Sequence, residues 1–406
     1  MNYLKLFPCC LIFVCFFSCS GISKLKQRQA YTYKITDTGF KKYFDDKGEI
    51  PKPQKGEAFY GQDAHYRGFD FSYKDNGDGT ITDITTGLMW EKAASEKMLW
   101  SDIAGYVKNC NTGGYTDWRL PGIKELVSIA VFNGDVRKAI PYINTDYFDF
   151  EYPVDKKHFR RPMAEDANGN RMIDAQYISS NEYIGTIMRG AEGVFGFNFA
   201  DGHIKCYPKY RGRRGAPKFY VRLVRVNKDY GKNKFVDNGD GTISDLATGL
   251  MWQKADDGIA RNWEDALSYA EDLELAGFND WYLPDVKELH SIVDYTRNEP
   301  ALNPVFITTD KSGWFWTSTT YLDRPELALY IAFGKAVDFR GMDTHGSGAT
   351  RGDFKSGNPS NYSRGLGPQR DEVRIKNYVR CVRKLKYILS NPSRGLRKNS
   401  WWAFCS

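Results

Sequence analysis

This sequence has little histidine, little cysteine beyond its first residues, no strong charge of either sign and no apolar run long enough to cross a bilayer. Its five histidines stand at no metal-ligand spacing, and neither a nucleophile elbow nor a phosphate-binding glycine loop is present. Catalysis is therefore without a signature, and the expectation is a protein that binds and is not an enzyme. The balance of 57 Lys and Arg against 50 Asp and Glu leaves a formal charge of +7. That excess falls short of the concentrated basic footprint of a nucleic-acid binder, so no nucleic-acid partner is expected. It is enough to favour sulfated or phosphorylated polymers. Apolar residues at 41% and charged residues at 26% are ordinary for a globular chain, and 406 residues suit two domains. Aromatics, at 15%, are in excess; such rings fill cores and also build sugar-binding surfaces.

The longest apolar stretch, Leu6 to Phe17, follows Lys5 and spans twelve residues, the pattern of an export signal and too short for a membrane helix. Phe16-Phe17-Ser18-Cys19-Ser20 resembles a bacterial lipobox, with Phe17 replacing the small residue common there. Residues 1–18 are thus expected to be a signal peptide and Cys19 the lipidation site that tethers the chain to the outer membrane. The alternative is a plain signal peptidase substrate. Residues 19–65, polar and basic at first, then read as a lipidated N-terminus and stalk. Removing Cys9, Cys10, Cys15 and Cys19 leaves Cys110, Cys206, Cys381 and Cys405, which in an exported protein allow three disulfide pairings.

Self-similarity organises the remainder. Asp75 to Ala93 (DNGDGTITDITTGLMWEKA) returns as Asp237 to Ala255 (DNGDGTISDLATGLMWQKA). GGYTDWRLPGIKELVSI from Gly113 returns as AGFNDWYLPDVKELHSI from Ala276, and YVRLVR from Tyr220 as YVRCVR from Tyr378. Three blocks in one order define two modules, 66–228 and 229–388, followed by a basic, aromatic tail over 389–406. The Asn-Gly-Asp-Gly runs predict hairpin tips and the alternation after them predicts strands. Trp100, Ile103, Ala104 and Val107, like Trp263, Ala266, Leu267, Ala270 and Leu273, recur at helical spacing. A second helix is expected over Gly122 to Ala130 and over Asp285 to Tyr295, each after a proline. The fold class is α+β, each module holding two helices and mostly antiparallel strands. Trp90, Trp118, Trp252 and Trp281 are expected in cores. Asp117 and Asp280 read as turn and capping residues, and with Arg119 replaced by Tyr282 no shared ionic role is required.

DNGDGTITD-x-x-TGLMW, DWRLP-x-x-KEL and the closing YVRCVR together resemble the domain of unknown function also found at the C-terminus of the Legionella collagen-like adhesin, over about 300 of the 406 residues. The segment Gly341 to Arg383 resembles a longer variant of it. The resemblance implies a C-type-lectin-like fold shared with formylglycine-generating enzymes, and a role in binding sulfated glycosaminoglycans. Fold alone does not fix function. The family's usual cysteine pair is split here: Cys110 faces Leu223 in one copy, and Leu273 faces Cys381 in the other. Cys110 with Cys206 then becomes the more plausible bridge.

Candidate contacts with a carbohydrate or polyanion are Lys209, Tyr210, Arg211, Arg213 and Arg214 on the first copy's loop, and Arg340, His345 and Arg351 on the second copy's, because guanidinium groups match sulfate and phosphate oxygens. The Arg351-Gly352-Asp353 triplet is a chance tripeptide. Asp166, Asn168, Asn170 and Asp174 resemble the front half of a calcium loop. Arg171 at the glycine position and Tyr177 in place of the bidentate acid favour a metal-free polar insertion. The expected function is a surface lipoprotein that binds a glycan or other polyanion. The alternatives are an envelope assembly protein and, behind it, a formylglycine-generating-like enzyme.

Overall fold

Residues 31–65 carry Tyr33, Ile35, Phe40 and Phe44, side chains whose burial is worth about 2 kcal/mol each, and all four are at most 9% exposed. In the computed structural model, which describes residues 31–154, 163–167, 169–210 and 215–385, this segment forms a small hairpin, β1 (Tyr43–Phe44) and β2 (Glu49–Ile50). Its apolar side chains join the core of the repeats. The stalk expected over 19–65 is therefore corrected for residues 31–65, which are an integral layer of the fold. The expected signal over residues 1–18, the expected lipidation site Cys19 and the 389–406 tail lie outside the described residues. Among the described residues no helix is long and apolar enough to cross a membrane.

Each copy starts with the hairpin that its Asn-Gly-Asp-Gly run demands. Gly77 and Gly79 take φ of 78° and 84°, Asp75 and Asp78 accept the N–H groups of Gly77 and Thr80, and the Asn76 amide reaches Thr80 and Thr82. The result is β3 (Tyr73–Asp75), β4 (Thr80–Asp83) and β5 (Leu88–Glu91). After β6 (Met98–Leu99) come α1 (Trp100–Asn109) and α2 (Ile123–Ser128). Three long strands follow, β7 (Gln176–Glu182), β8 (Gly193–Asn198) and β9 (His203–Pro208). Then β10 (Lys218–Phe219) pairs with β6, and β11 (Val224–Arg225) closes the module against β5. The second copy repeats the plan. It runs β12 (Phe235–Asp237), β13 (Thr242–Asp245), β14 (Leu250–Gln253), α3 (Trp263–Glu271) and α4 (Val286–Ser291). It ends with β15 (Trp314–Thr320), β16 (Leu327–Ala332), β17 (Thr350–Phe354) and β18 (Val382–Lys384), which closes against β14.

The second helices are shorter than their sequence suggests. Ser128 and Ser291 bond back to the carbonyls of Glu125 and Glu288, after which Ala130 and Val293 leave to bridge Ile143 and Leu302. Asp285 and Glu288 form a full capping box. In the first copy Gly122 has no side chain to offer, so only the Glu125 half of the box is made, its carboxylate accepting from Gly122 N–H at 2.7 Å.

The copies are fused. Strands β7, β8 and β9 and strands β15, β16 and β17 form one six-stranded sheet in the order β15-β16-β17-β9-β8-β7, joined where Thr350 of β17 pairs with Ile204 of β9. On the helical side, Lys124 of α2 donates to Ser291 O at the end of α4 (2.6 Å), as well as to Gly231 O and Asn233. Lys287 of α4 reciprocates on Ser128 O at 3.3 Å and bonds Thr36 at 2.8 Å. Each KEL lysine thus caps the other copy's helix, where a cation complements the exposed carbonyls. Burial pushes Lys124 down to about 8 and Lys287 to about 7. The described residues form one contact unit, with one core cluster drawing on both copies and the N-terminal segment.

Candidate functional site

The three repeated motifs meet as framework. Trp90, Trp118, Trp252 and Trp281 are at most 5% exposed, so they are core and are not available for stacking on a ligand. Arg222 of the first closing segment donates to the carbonyls of Glu91, Lys92 and Asp149. Its counterpart Arg380 does the same to Gln253, Lys254 and Ile307. The last arginine of each closing strand pairs with the Asp of the DW motif, Arg225 with Asp117 and Arg383 with Asp280, both at 2.6 Å. A shared ionic role, not required by the sequence, is therefore present. The Arg119 to Tyr282 exchange conserves another contact, because Arg119 pairs with Glu125 and the Tyr282 hydroxyl donates to Glu288.

Of the expected ligand contacts, several are corrected. Lys209 is buried beneath Trp100 and Tyr210 and is paired with Glu182 at 2.7 Å and Glu192 at 3.2 Å, so its charge is spent internally. Tyr210 is exposed, while Arg211, Arg213 and Arg214 lie outside the described residues. His345 and Arg351 are buried against Asp371, His345 at 2.8 Å. Arg351 begins its strand-borne triplet inside β17, a position that excludes the triplet as a loop ligand. Burial alone would raise the Asp371 carboxyl, but Arg351 and His345 outweigh it and hold it far below the usual range. Burial pushes His345 down to about 4, as it does His203 across the sheet junction, beside Asp201 and Lys205. This cluster seals the join of β9 and β17 and leaves no cation for a ligand.

Arg340 remains exposed, and Arg370 stands with it. Both guanidinium groups lie over the ring of Phe339, at 4.9 and 5.6 Å from its centroid. Asp338 shapes the turn by accepting the N–H groups of Arg340 and Met342, and Phe339 N–H donates to Arg370 O. Neither guanidinium has a carboxylate partner among the described residues. Sequence reasoning placed Arg340 and Arg370 on this loop but missed Phe339, the ring over which the two, thirty residues apart, come together.

The calcium-like loop is closed by itself. Asp174 is held by Arg171 at 2.6 Å, and Asp166 accepts the Asn170 N–H; the Asp174 carboxylate expected to face a metal faces an arginine. Asn168 lies outside the described residues. The Cys110–Cys206 bridge is corrected too: both are free thiols. Cys110 donates to Glu91 beside α1, whereas Cys206 is buried in the core beside Gly193. Elsewhere, a cleft of about 570 Å³ opens where α2, the 230–235 linker and the segment after α4 meet, with Asn181, Asp294 and Asn303 on its walls.

The sequence matches the Lcl C-terminal domain twice, over residues 79–225 and 241–352, which is more than half of the chain. The chain belongs to the Lcl C-terminal domain family. Neither a curated protein nor a solved structure matches it. The second match ends within β17. Residues 353–385, which carry Asp371, Arg370 and the closing strand, are nonetheless built into the second Lcl C-terminal domain.

Proposed function

We propose that this protein is an exported, lipid-anchored surface protein whose two fused Lcl C-terminal domains bind a polyanionic carbohydrate, with Cys19 as the membrane tether. The scaffold is read as lectin-like, and its role as binding without catalysis. The observation that carries the reading is the Arg340–Phe339–Arg370 group: two exposed guanidinium groups on one aromatic ring, with no carboxylate partner among the described residues. A planar guanidinium offers paired donors to sulfate oxygens, and packing on one ring brings the two groups close together. Adhesin-like surface attachment accords with membership of the family.

The test is retention on a heparin-like chain across a salt gradient. Binding that falls steeply between low and moderate salt is expected, because ion pairs at a surface are screened over about 10 Å at 0.1 M. Arg340→Ala with Arg370→Ala is expected to weaken binding roughly tenfold, the equivalent of about 1.4 kcal/mol. Unchanged retention in the double variant would remove this site from the account.

A further inference from the structure

The two copies place corresponding residues around two related grooves, and the chain fills one of them itself. The pairs that correspond are Ser128 with Ser291, Phe132 with Tyr295 and Asn181 with Thr319. The last pair is fixed by its bonding, since Asn181 caps Ile123 N–H as Thr319 caps Val286 N–H. Beside α4 runs the N-terminal segment. Thr36 donates its hydroxyl to Ser128 O at 2.6 Å, Phe132 N–H donates to Thr38 O at 2.7 Å, and Thr36 bridges Phe69 in parallel register. The Thr38 hydroxyl and Thr319 both donate to Asp63. An extended stretch with hydroxyl residues two apart is thus held by its backbone and two short side chains.

The groove beside α2 is the open cleft of about 570 Å³. Tyr295 N–H, the counterpart of Phe132 N–H, has no acceptor among the described residues, and the Asn181 side-chain amide donates to none of them either. Lys124 has its three donors committed to Gly231, Asn233 and Ser291. Glu125 and Asp294 stand on the walls, which disfavours a polyanion and leaves backbone pairing as the dominant means of recognition.

We propose that this groove is a docking site for an extended segment of a partner protein, taken up as an added strand in the way the twin groove takes residues 35–39. The incoming carbonyl would accept from Tyr295 N–H, with a hydroxyl on Ser291 O and a second, two residues on, at the Asn181 amide. Strand addition of this kind draws affinity from main-chain bonds and specificity from alternate side chains. The site is separate from the Arg340 patch and does not depend on it.

The probe is a fluorescein-labelled synthetic peptide with the sequence of residues 33–45, titrated into the whole chain by anisotropy. Saturable one-to-one binding is expected, at least tenfold weaker for a scrambled peptide. Thr296→Trp and, independently, Lys232→Trp place bulk on the cleft's exposed rim, and each is expected to weaken binding tenfold or more while the melting temperature is unchanged. Equal binding of the scrambled peptide, absence of saturation up to millimolar concentration, or full binding by both folded rim variants would overturn the proposal. The last result would mean that the peptide displaces the native N-terminal segment from the other groove.

Discussion

A chain shortened to begin at residue 67 is expected to melt roughly 10 °C or more below the chain that retains residues 31–66, and to expose apolar surface that binds a hydrophobic dye. Tyr33, Ile35, Phe40 and Phe44 are buried with the core of both copies. At about 2 kcal/mol each their burial is substantial against a total stability of about 5–15 kcal/mol. Deletion also returns the conformational entropy spent on ordering the segment, so the gross figure is an upper bound. What entropy does not restore is the polar pairing that the segment provides. Lys287 would lose Thr36, Phe132 N–H would lose Thr38 O, and Thr319 would lose Asp63. An unchanged melting temperature would mean that the segment is a stalk after all.

Arg380→Ala is expected to cost about 3–5 kcal/mol, the range for removing one partner of a buried charge network. The side chain is fully buried, and its removal strands the carbonyls of Gln253, Lys254 and Ile307 and leaves Asp256, 3.6 Å away, without its counter-ion. Burial, only partly offset by Asp256, pushes this guanidinium down to about 10, so the charge depends heavily on the few partners it has. Arg225→Ala should lose far less, about 1 kcal/mol, because its partner Asp117 is 55% exposed and solvent screens the pair. Chemical denaturation of the two variants tests the ordering. Equal losses would mean that Arg380 is no keystone of the second copy.

Local chemistry made much of the fold legible. The Asn-Gly-Asp-Gly turns, the two helices per copy and the buried tryptophans follow from φ tolerance, apolar spacing and ring burial, each readable within a dozen residues. The seam was not legible, because Thr350 meeting Ile204, and Lys124 meeting Ser291, depend on contacts far apart in sequence. Residues 31–65 misled for a related reason: the alternation of Tyr31, Tyr33 and Ile35 is short, and Phe40 and Phe44 fall outside it, so polar neighbours dominated the reading. Charge gave no information about depth. Arg351 and Arg340 look alike in sequence, yet one is paired with Asp371 inside the sheet junction and the other faces solvent. No local signal marks Arg351, because Thr-Arg-Gly-Asp-Phe carries one apolar residue and two residue types depleted in strands; its burial follows from pairing with β16 and β9.

The account stands on the two copies being a single cooperative body. Differential scanning calorimetry of the whole chain addresses this directly: one transition is predicted, with calorimetric and van't Hoff enthalpies equal, because a shared sheet, a shared core and reciprocal lysine caps leave neither half able to melt alone. Two separable transitions, each with the enthalpy of one module, would contradict it.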